Sequence, residues 1–328
     1  MQKVLVTGGF GFLGAHLVKH LINKGYHVVV MDLNEPKPNS AIHWLLREDL
    51  GSIDFVKGNI IDISAIFHVV KNKGITKIVH AAVINDLDIL ANNPLLTLKV
   101  NVEGTVNILE AARLFDVEKV IISSSISVYA PMKYEPMDEN HPVHSDSEGP
   151  TLLSYSSSKL SAEAFGLHYW STYGMDIVSL RFSGIYGFGM HYPMFIKPMV
   201  EHAVKMKNIH FDSGADSRRD YTYINDVVKG VILALETPTN KRIYNIATGE
   251  PLISAQEISK IIMEIEPKIK VSFGNRKNEI EEMSTKTRGM LSIESAKRDL
   301  NFYPEYSIRK GIKDYYDHYK KYYTETFR

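Results

Sequence analysis

The chain has 328 residues, with Lys+Arg and Asp+Glu balanced at 38 each, 44% hydrophobic and 23% charged, which is ordinary for a globular protein of one large or two moderate domains. The even charge excludes the basic footprint of a nucleic-acid or anionic-membrane binder, and the absence of cysteine excludes disulfides, thiolate catalysis and cysteine-ligated metal. No run approaches the ~20 apolar residues of a membrane span, and a first strand stands where a signal peptide would be, so a cytoplasmic location is expected.

The first predicted element is a short apolar strand, Lys3-Val4-Leu5-Val6-Thr7, running into Gly8-Gly9-Phe10-Gly11-Phe12-Leu13-Gly14 and then a helix. This order suits a dinucleotide pyrophosphate. Gly8 and Gly9 are expected to take backbone angles closed to other residues. Gly11 lets the backbone touch the phosphates, and Gly14 lets the helix pack close to the strand. The helix N-terminus offers free N–H groups and a positive dipole end. The second strand, His27–Asp32, ends on an acid 18 residues after Gly14, where a carboxylate can grip the adenosine ribose. Leu33, Asn34 and Glu35 follow it; no Arg or Lys among them would welcome a 2′-phosphate, which favours NAD over NADP.

Further strands are predicted at Asp54–Lys57, Lys77–Ala81, Lys119–Ser123 and Asp176–Leu180. They are continuous Val/Ile-rich runs, as in parallel sheets buried on both faces. The intervening segments are long enough for right-handed crossover helices. The fold is therefore α/β, a Rossmann-type doubly wound parallel sheet with the cofactor over the carboxyl ends of its strands. After Gly187 the pattern loosens into a smaller C-terminal α/β domain that closes over substrate. Residues 1–182 with roughly 225–248 are assigned to the NAD-binding domain; 183–224 and 249–328 form the substrate-binding domain. Ile308 to Tyr323 predicts an amphipathic terminal helix.

Tyr155 and Lys159 are four apart on a predicted helix, so phenol and ammonium share a face. A free tyrosine has a pKa of about 10. A nearby ammonium and the positive nicotinamide ring would lower it toward a usable base. About 30 residues upstream, Ser123-Ser124-Ser125-Ile126-Ser127-Val128-Tyr129 ends a central strand and supplies hydroxyls for the substrate oxygen.

Together these motifs make the chain resemble an extended short-chain dehydrogenase/reductase of the NAD-dependent sugar epimerase/dehydratase family, over nearly its whole length. The resemblance implies the following roles. Gly8, Gly11, Phe12, Leu13, Gly14, Asp32, Asn59, Ile60, Ala81, Ala82, Asn101 and Ser123 would hold NAD, with Tyr155 and Lys159. Asn59 stands where the family has Asp, and Asn101-Val102-Glu103-Gly104-Thr105 matches its Asn-Val-x-Gly-Thr helix. Ser125 would be the catalytic Ser/Thr, Tyr155 the base, and Lys159 the holder of the nicotinamide ribose. Ser125, Ser127, Gly184 and Arg219 would face substrate; Arg219 opens the Arg-Asp-Tyr block, whose arginine usually meets phosphates. The resemblance also implies a homodimer through helices around Asn101–Phe115 and Tyr155–Tyr173.

Three departures bear on the reaction. Family dehydratases carry Asp-Glu after the catalytic Thr, where this chain has Ile126 and Ser127, so dehydration is rejected. The family's substrate asparagine is Gly184 here. Its later Arg-x-Gly-Asp element is not evident near Lys286-Thr287-Arg288-Gly289. The leading expectation is an NAD-dependent nucleotide-sugar epimerase that acts through a transient keto-sugar. An NAD-dependent dehydrogenase of a free sugar, sugar acid or related alcohol is the alternative, and a cofactor-bound scaffold that no longer turns over is a third. No metal site is expected: His16 and His20 lack a third ligand. His141 and His144 are expected to border the substrate cleft.

Overall fold

The computed structural model describes residues 2–143, 150–276 and 288–327. Seven parallel strands form the central sheet: β1 (Lys3–Thr7), β2 (His27–Asp32), β3 (Asp54–Lys57), β4 (Lys77–His80), β5 (Lys119–Ser125), β6 (Ile177–Phe182) and, later in the chain, β11 (Ile243–Ile246). Their order is β11-β6-β5-β4-β1-β2-β3, every pair parallel. The chain winds outward from β1 to β3, then returns to the other side of β1 at β4. Ligands bind at such a switch point, beyond the carboxyl ends of the strands.

Val4, Leu5, Val6, Val28, Val29, Val30, Ile121 and Val178 are fully buried. Helices cover both faces of these strands, hence unbroken apolar runs in place of alternation. One core cluster packs beneath helix Phe12–Asn23 and extends to the terminal helix. The other lies under helices Ile63–Lys73 and Gly104–Leu114.

Beyond Phe182 the strands become short: β7 (Gly184–Tyr186), β8 (Ile209–Phe211), β9 (Arg218–Arg219), β10 (Tyr221–Tyr223), β12 (Ile253–Ser254) and β13 (Val271–Phe273). They pair two by two, β7 with β10, β9 with β12 and β8 with β13. The terminal helix runs from Ile308 to Phe327, four residues beyond the expected end. Its Tyr315, Tyr319 and Tyr322 are buried, and Tyr322 donates to the Asn39 carbonyl at 2.9 Å. No helix among the described residues is long and apolar enough to cross a membrane.

Candidate active site

The cofactor cradle begins where β1 ends. Gly8 has φ +66°, and a Cβ there would stand 2.7 Å from Ala82 Cα. The turn therefore rests directly on the chain leaving β4, at the switch point, and any side chain would push them apart. A Cβ on Gly14 would meet the Gly8 carbonyl oxygen at 2.1 Å. Gly9 corrects the expectation from sequence: its φ is not positive, and it is bare because Val30 of β2 would lie 2.7 Å from its Cβ.

The helix Phe12–Asn23 starts at Gly11 with no side-chain cap and no acid in its first turn. Its first N–H groups are thus left to an anion. Asp32 Oδ2 accepts the Phe10 N–H at 2.9 Å and Oδ1 the Leu33 N–H at 2.7 Å. Burial raises the carboxyl's pKa despite these two bonds. Leu33, Asn34 and Glu35 line the cleft beside it, presenting an acid and no cation where an NADP 2′-phosphate would lie.

β5 carries the hydroxyls expected to face the substrate oxygen. Its last residue, Ser125, caps a short turn over Ile126–Val128, accepting the Ser127 N–H at 3.1 Å. That leaves the Ser125 proton free to donate. The helix Pro150–Tyr173 brings Tyr155 alongside, and the Ser125 hydroxyl bonds its phenol. Lys159 Nζ donates to the Ser123 carbonyl at 2.6 Å and lies 5.7 Å from the Tyr155 ring centre.

Burial dominates the titration of both groups. It pushes the Tyr155 phenol up to about 12 against the bond from Ser125, and pulls Lys159 down to about 8 although Glu163 opposes it. In the protein alone Tyr155 is thus a neutral phenol: desolvation dominates, the bond from Ser125 is what opposes it, and the expected depression by Lys159 is not seen. Behind this pair, Glu163 accepts from Ser124 and from Arg181 Nε and a terminal nitrogen at 2.9 and 2.7 Å. This satisfied buried network fixes β5 against the tyrosine helix.

A single cleft of about 780 Å³ contains Gly8, Gly11, Phe12, Leu13, Gly14, Asp32, Asn59, Ile60, Ala81 and Ala82 together with Ser123, Ser125, Ser127, Tyr155 and Lys159. Asn101 is not part of its wall. Its amide donates to the Ile84 carbonyl at 3.0 Å and to Ser158 at 3.1 Å, and accepts the Ile84 N–H at 2.8 Å. It shapes the loop after β4 and ties it to the tyrosine helix. His141 is also absent from the cleft: it is buried, accepts the Lys133 N–H at 2.9 Å, and packs against Tyr129 and Tyr134. His144, Lys286 and Thr287 lie outside the described residues. His16 and His20 are engaged with the Phe188 and His16 carbonyls, and no metal-binding group of three His, Cys, Asp or Glu occurs among the described residues.

At the other end of the cleft, β9 separates two adjacent arginines by strand alternation. Arg218 is exposed and pairs with Glu257 at 3.7 Å. Arg219 turns into the cleft. Arg288 lines it too, and burial followed by repulsion from Arg219 lowers its pKa to about 10. Neither cleft arginine pairs with a carboxylate among the described residues. Gly184 sits beside them because a Cβ would meet the Asp220 carbonyl oxygen at 2.8 Å. Asp220 itself is pushed up to about 6 by burial.

A family model described as the NAD dependent epimerase/dehydratase family matches residues 4–247. The chain belongs to that family. It is 30% identical to a UDP-glucuronate 4-epimerase of Thermodesulfobacterium geofontis over 95% of this chain and 94% of the relative. Among solved structures it superposes on a UDP-glucose 4-epimerase of Thermotoga maritima with UDP-glucose, with TM-score 0.82 and 25% identity, covering 98% of this chain and 99% of the other. A UDP-glucuronic acid 4-epimerase from Bacillus cereus in complex with UDP-glucuronic acid and NAD gives TM-score 0.79 and 25% identity over 98% and 99%.

This epimerase/dehydratase-family protein takes NAD, and the bare Gly8 and Gly14, the uncapped helix and Asp32 fit that cofactor. Arg288 is the site residue that sequence reasoning missed. Its Arg-Gly pair stands in an irregular segment with no strand or helix period to aim it. The one available signal was an arginine followed by a glycine, which lets the backbone come close.

Proposed function

We propose that the protein is a nucleotide-sugar 4-epimerase. The carrying observation is that one cleft holds both the Ser125–Tyr155–Lys159 set and two arginines, Arg219 and Arg288, that have no carboxylate partner among the described residues. Two half-buried cations that face one cleft and repel each other are better satisfied when an anion bridges them. A sugar diphosphate brings such an anion, and arginine's planar fork suits phosphate oxygens.

NAD supplies the hydride acceptor and donor, and its oxidised ring brings positive charge to the site. The protein's residues do the rest. Ser125 turns its one hydroxyl proton from the phenol, where it lies in the protein alone, to the oxygen of the bound sugar. Tyr155, as the phenolate that the oxidised ring and the Lys159 ammonium would stabilise, removes the hydroxyl proton as oxidation proceeds and, then a neutral phenol, returns it on re-reduction. Lys159 supplies positive charge beside it, and its bond to the Ser123 carbonyl fixes its place. Ile126 and Ser127, which line the cleft after Ser125, offer no carboxylate to eliminate water. Gly184 no longer favours a free-sugar dehydrogenase, since packing against Asp220 accounts for its bareness.

The same reading assigns residues 1–182 and 225–248 to holding NAD, and 183–224 and 249–328 to substrate. It places the enzyme in the cytoplasm. It makes the protein a homodimer through the helices Gly104–Leu114 and Pro150–Tyr173, on which Leu114, Phe165 and Leu167 are exposed; a monomeric mass in sedimentation would contradict the dimer. The activity is tested by a proton NMR time course with NAD and a panel of UDP-, GDP- and dTDP-sugars, free sugars and uronates. The expected result is a new epimer without NADH. Net NADH matched by loss of a free sugar would overturn the proposal.

A further inference from the structure

Arg288 has no regular element to hold it, yet a substrate-gripping arginine must be held. The strand-end loop that follows Ser125 does this. Glu135 Oε1 accepts the Met290 N–H at 2.6 Å, two residues from Arg288. Met137 N–H donates to the Met290 carbonyl at 2.8 Å, and Ser292 N–H to the Met137 carbonyl at 2.9 Å. Asn245 Nδ2 seals the pair by donating to the Met137 and Ser292 carbonyls at 3.1 and 3.0 Å. Gly289 makes the approach possible. A Cβ there would stand 2.5 Å from Met132 Sδ, 3.2 Å from Met137 Sδ and 3.3 Å from Glu135 Oε1.

We infer that Glu135 and Gly289 are positioning residues for the diphosphate, acting through Arg288. The inference rests on the proposed nucleotide-sugar reading. The need for a clamp follows from charge: Arg219 repels Arg288, so in the absence of an anion the cation favours solvent. The Glu135 carboxylate holds the backbone two residues on. It also joins the substrate grip to the turn that carries Ser125, since residues 129–137 continue from that turn.

The test is calorimetric binding of UDP, GDP and dTDP to the NAD-loaded protein, with the tightest binder then measured on variants. Glu135→Ala weakens that nucleotide roughly tenfold, as expected for loss of a charge-assisted hydrogen bond. Glu135→Gln keeps the acceptor oxygen and stays within about threefold of wild type. In turnover, Glu135→Ala raises KM and leaves kcat within about twofold. Added to Arg288→Ala, it has no further effect, because coupled residues are not additive. Gly289→Ala weakens binding in the same way. If the wild type binds none of the three nucleotides, the nucleotide-sugar reading falls and this inference falls with it. If the wild type binds and Glu135→Ala binds equally well, the inference alone is overturned. Equal loss in Glu135→Ala and Glu135→Gln, or a parallel loss of NAD affinity, also overturns it, since either marks a general structural effect.

Discussion

Restoring the family's asparagine at position 184 should harm this enzyme. An added Cβ would lie 2.8 Å from the Asp220 carbonyl oxygen, several tenths of an ångström inside ordinary contact. The Gly184 N–H already donates to that oxygen at 3.0 Å, and β7 pairs with β10 from Gly184↔Tyr221 onward. Relief therefore separates the two strands and moves Asp220 together with Arg219 before it. Overpacking of this kind costs about 1–3 kcal/mol. For 328 residues, an unfolding entropy of about 2.1 cal/mol/K per residue converts this into a Tm loss of about 1.5–4 °C. Gly184→Ala should show most of it, because the clash is with Cβ. Scanning calorimetry gives the Tm, and steady-state kinetics should show KM for the nucleotide sugar rising several-fold in both variants. A Gly184→Asn protein of unchanged Tm and lower KM would refute the steric account and return the asparagine to its family role.

Tyr155→Phe should lower kcat by about 10²- to 10⁴-fold, the range for a positioned acid–base group, while NAD affinity measured by fluorescence stays near wild type; retained turnover would remove Tyr155 from the chemistry. Gly14→Ala should abolish NAD retention on gel filtration, because its Cβ would collide with the Gly8 carbonyl at 2.1 Å. Stability should fall from pH 7 to pH 5. Burial holds His16 down to about 4 and His80 down to about 3; both stay neutral in the fold but take a proton below 6.5 when unfolded. Their contribution is complete above 6.5 and is lost as pH falls toward 4 and 3, about 4 kcal/mol together at pH 5. Asp220, raised to about 6, runs the other way and returns about 1.4 kcal/mol over the same interval. A net loss of about 2–3 kcal/mol in urea unfolding is expected, and equal stability at the two pH values would contradict it.

The sheet and the cofactor cradle were legible because their signals are local. Runs such as Val28–Val30 and Val120–Ile122 declare strands buried on both faces. The spacing from Gly14 to Asp32 is set by one helix and one strand. Tyr155 and Lys159 are one helical turn apart. What sequence could not show depends on contacts between distant segments. Gly9 is bare for Val30, Gly184 for Asp220 and Gly289 for two methionine sulfurs, none of which is a sequence neighbour. Asn101 matches a motif yet spends its amide on Ile84 and Ser158. His141 is drawn into an aromatic niche because two tyrosines surround it. Strand alternation at β9 decides which of Arg218 and Arg219 meets the cleft, and two adjacent arginines look alike until the strand is known.

The central claim is that one hydride leaves the sugar and returns to the same carbon within the closed site. The direct measurement is turnover of a nucleotide sugar carrying deuterium at C4, followed by NMR and mass spectrometry. The account predicts a C4 epimer that retains the full label, with no deuterium in NADH released to solution and none exchanged into water. Loss of the label to solvent, or its steady transfer to added NAD, would contradict it.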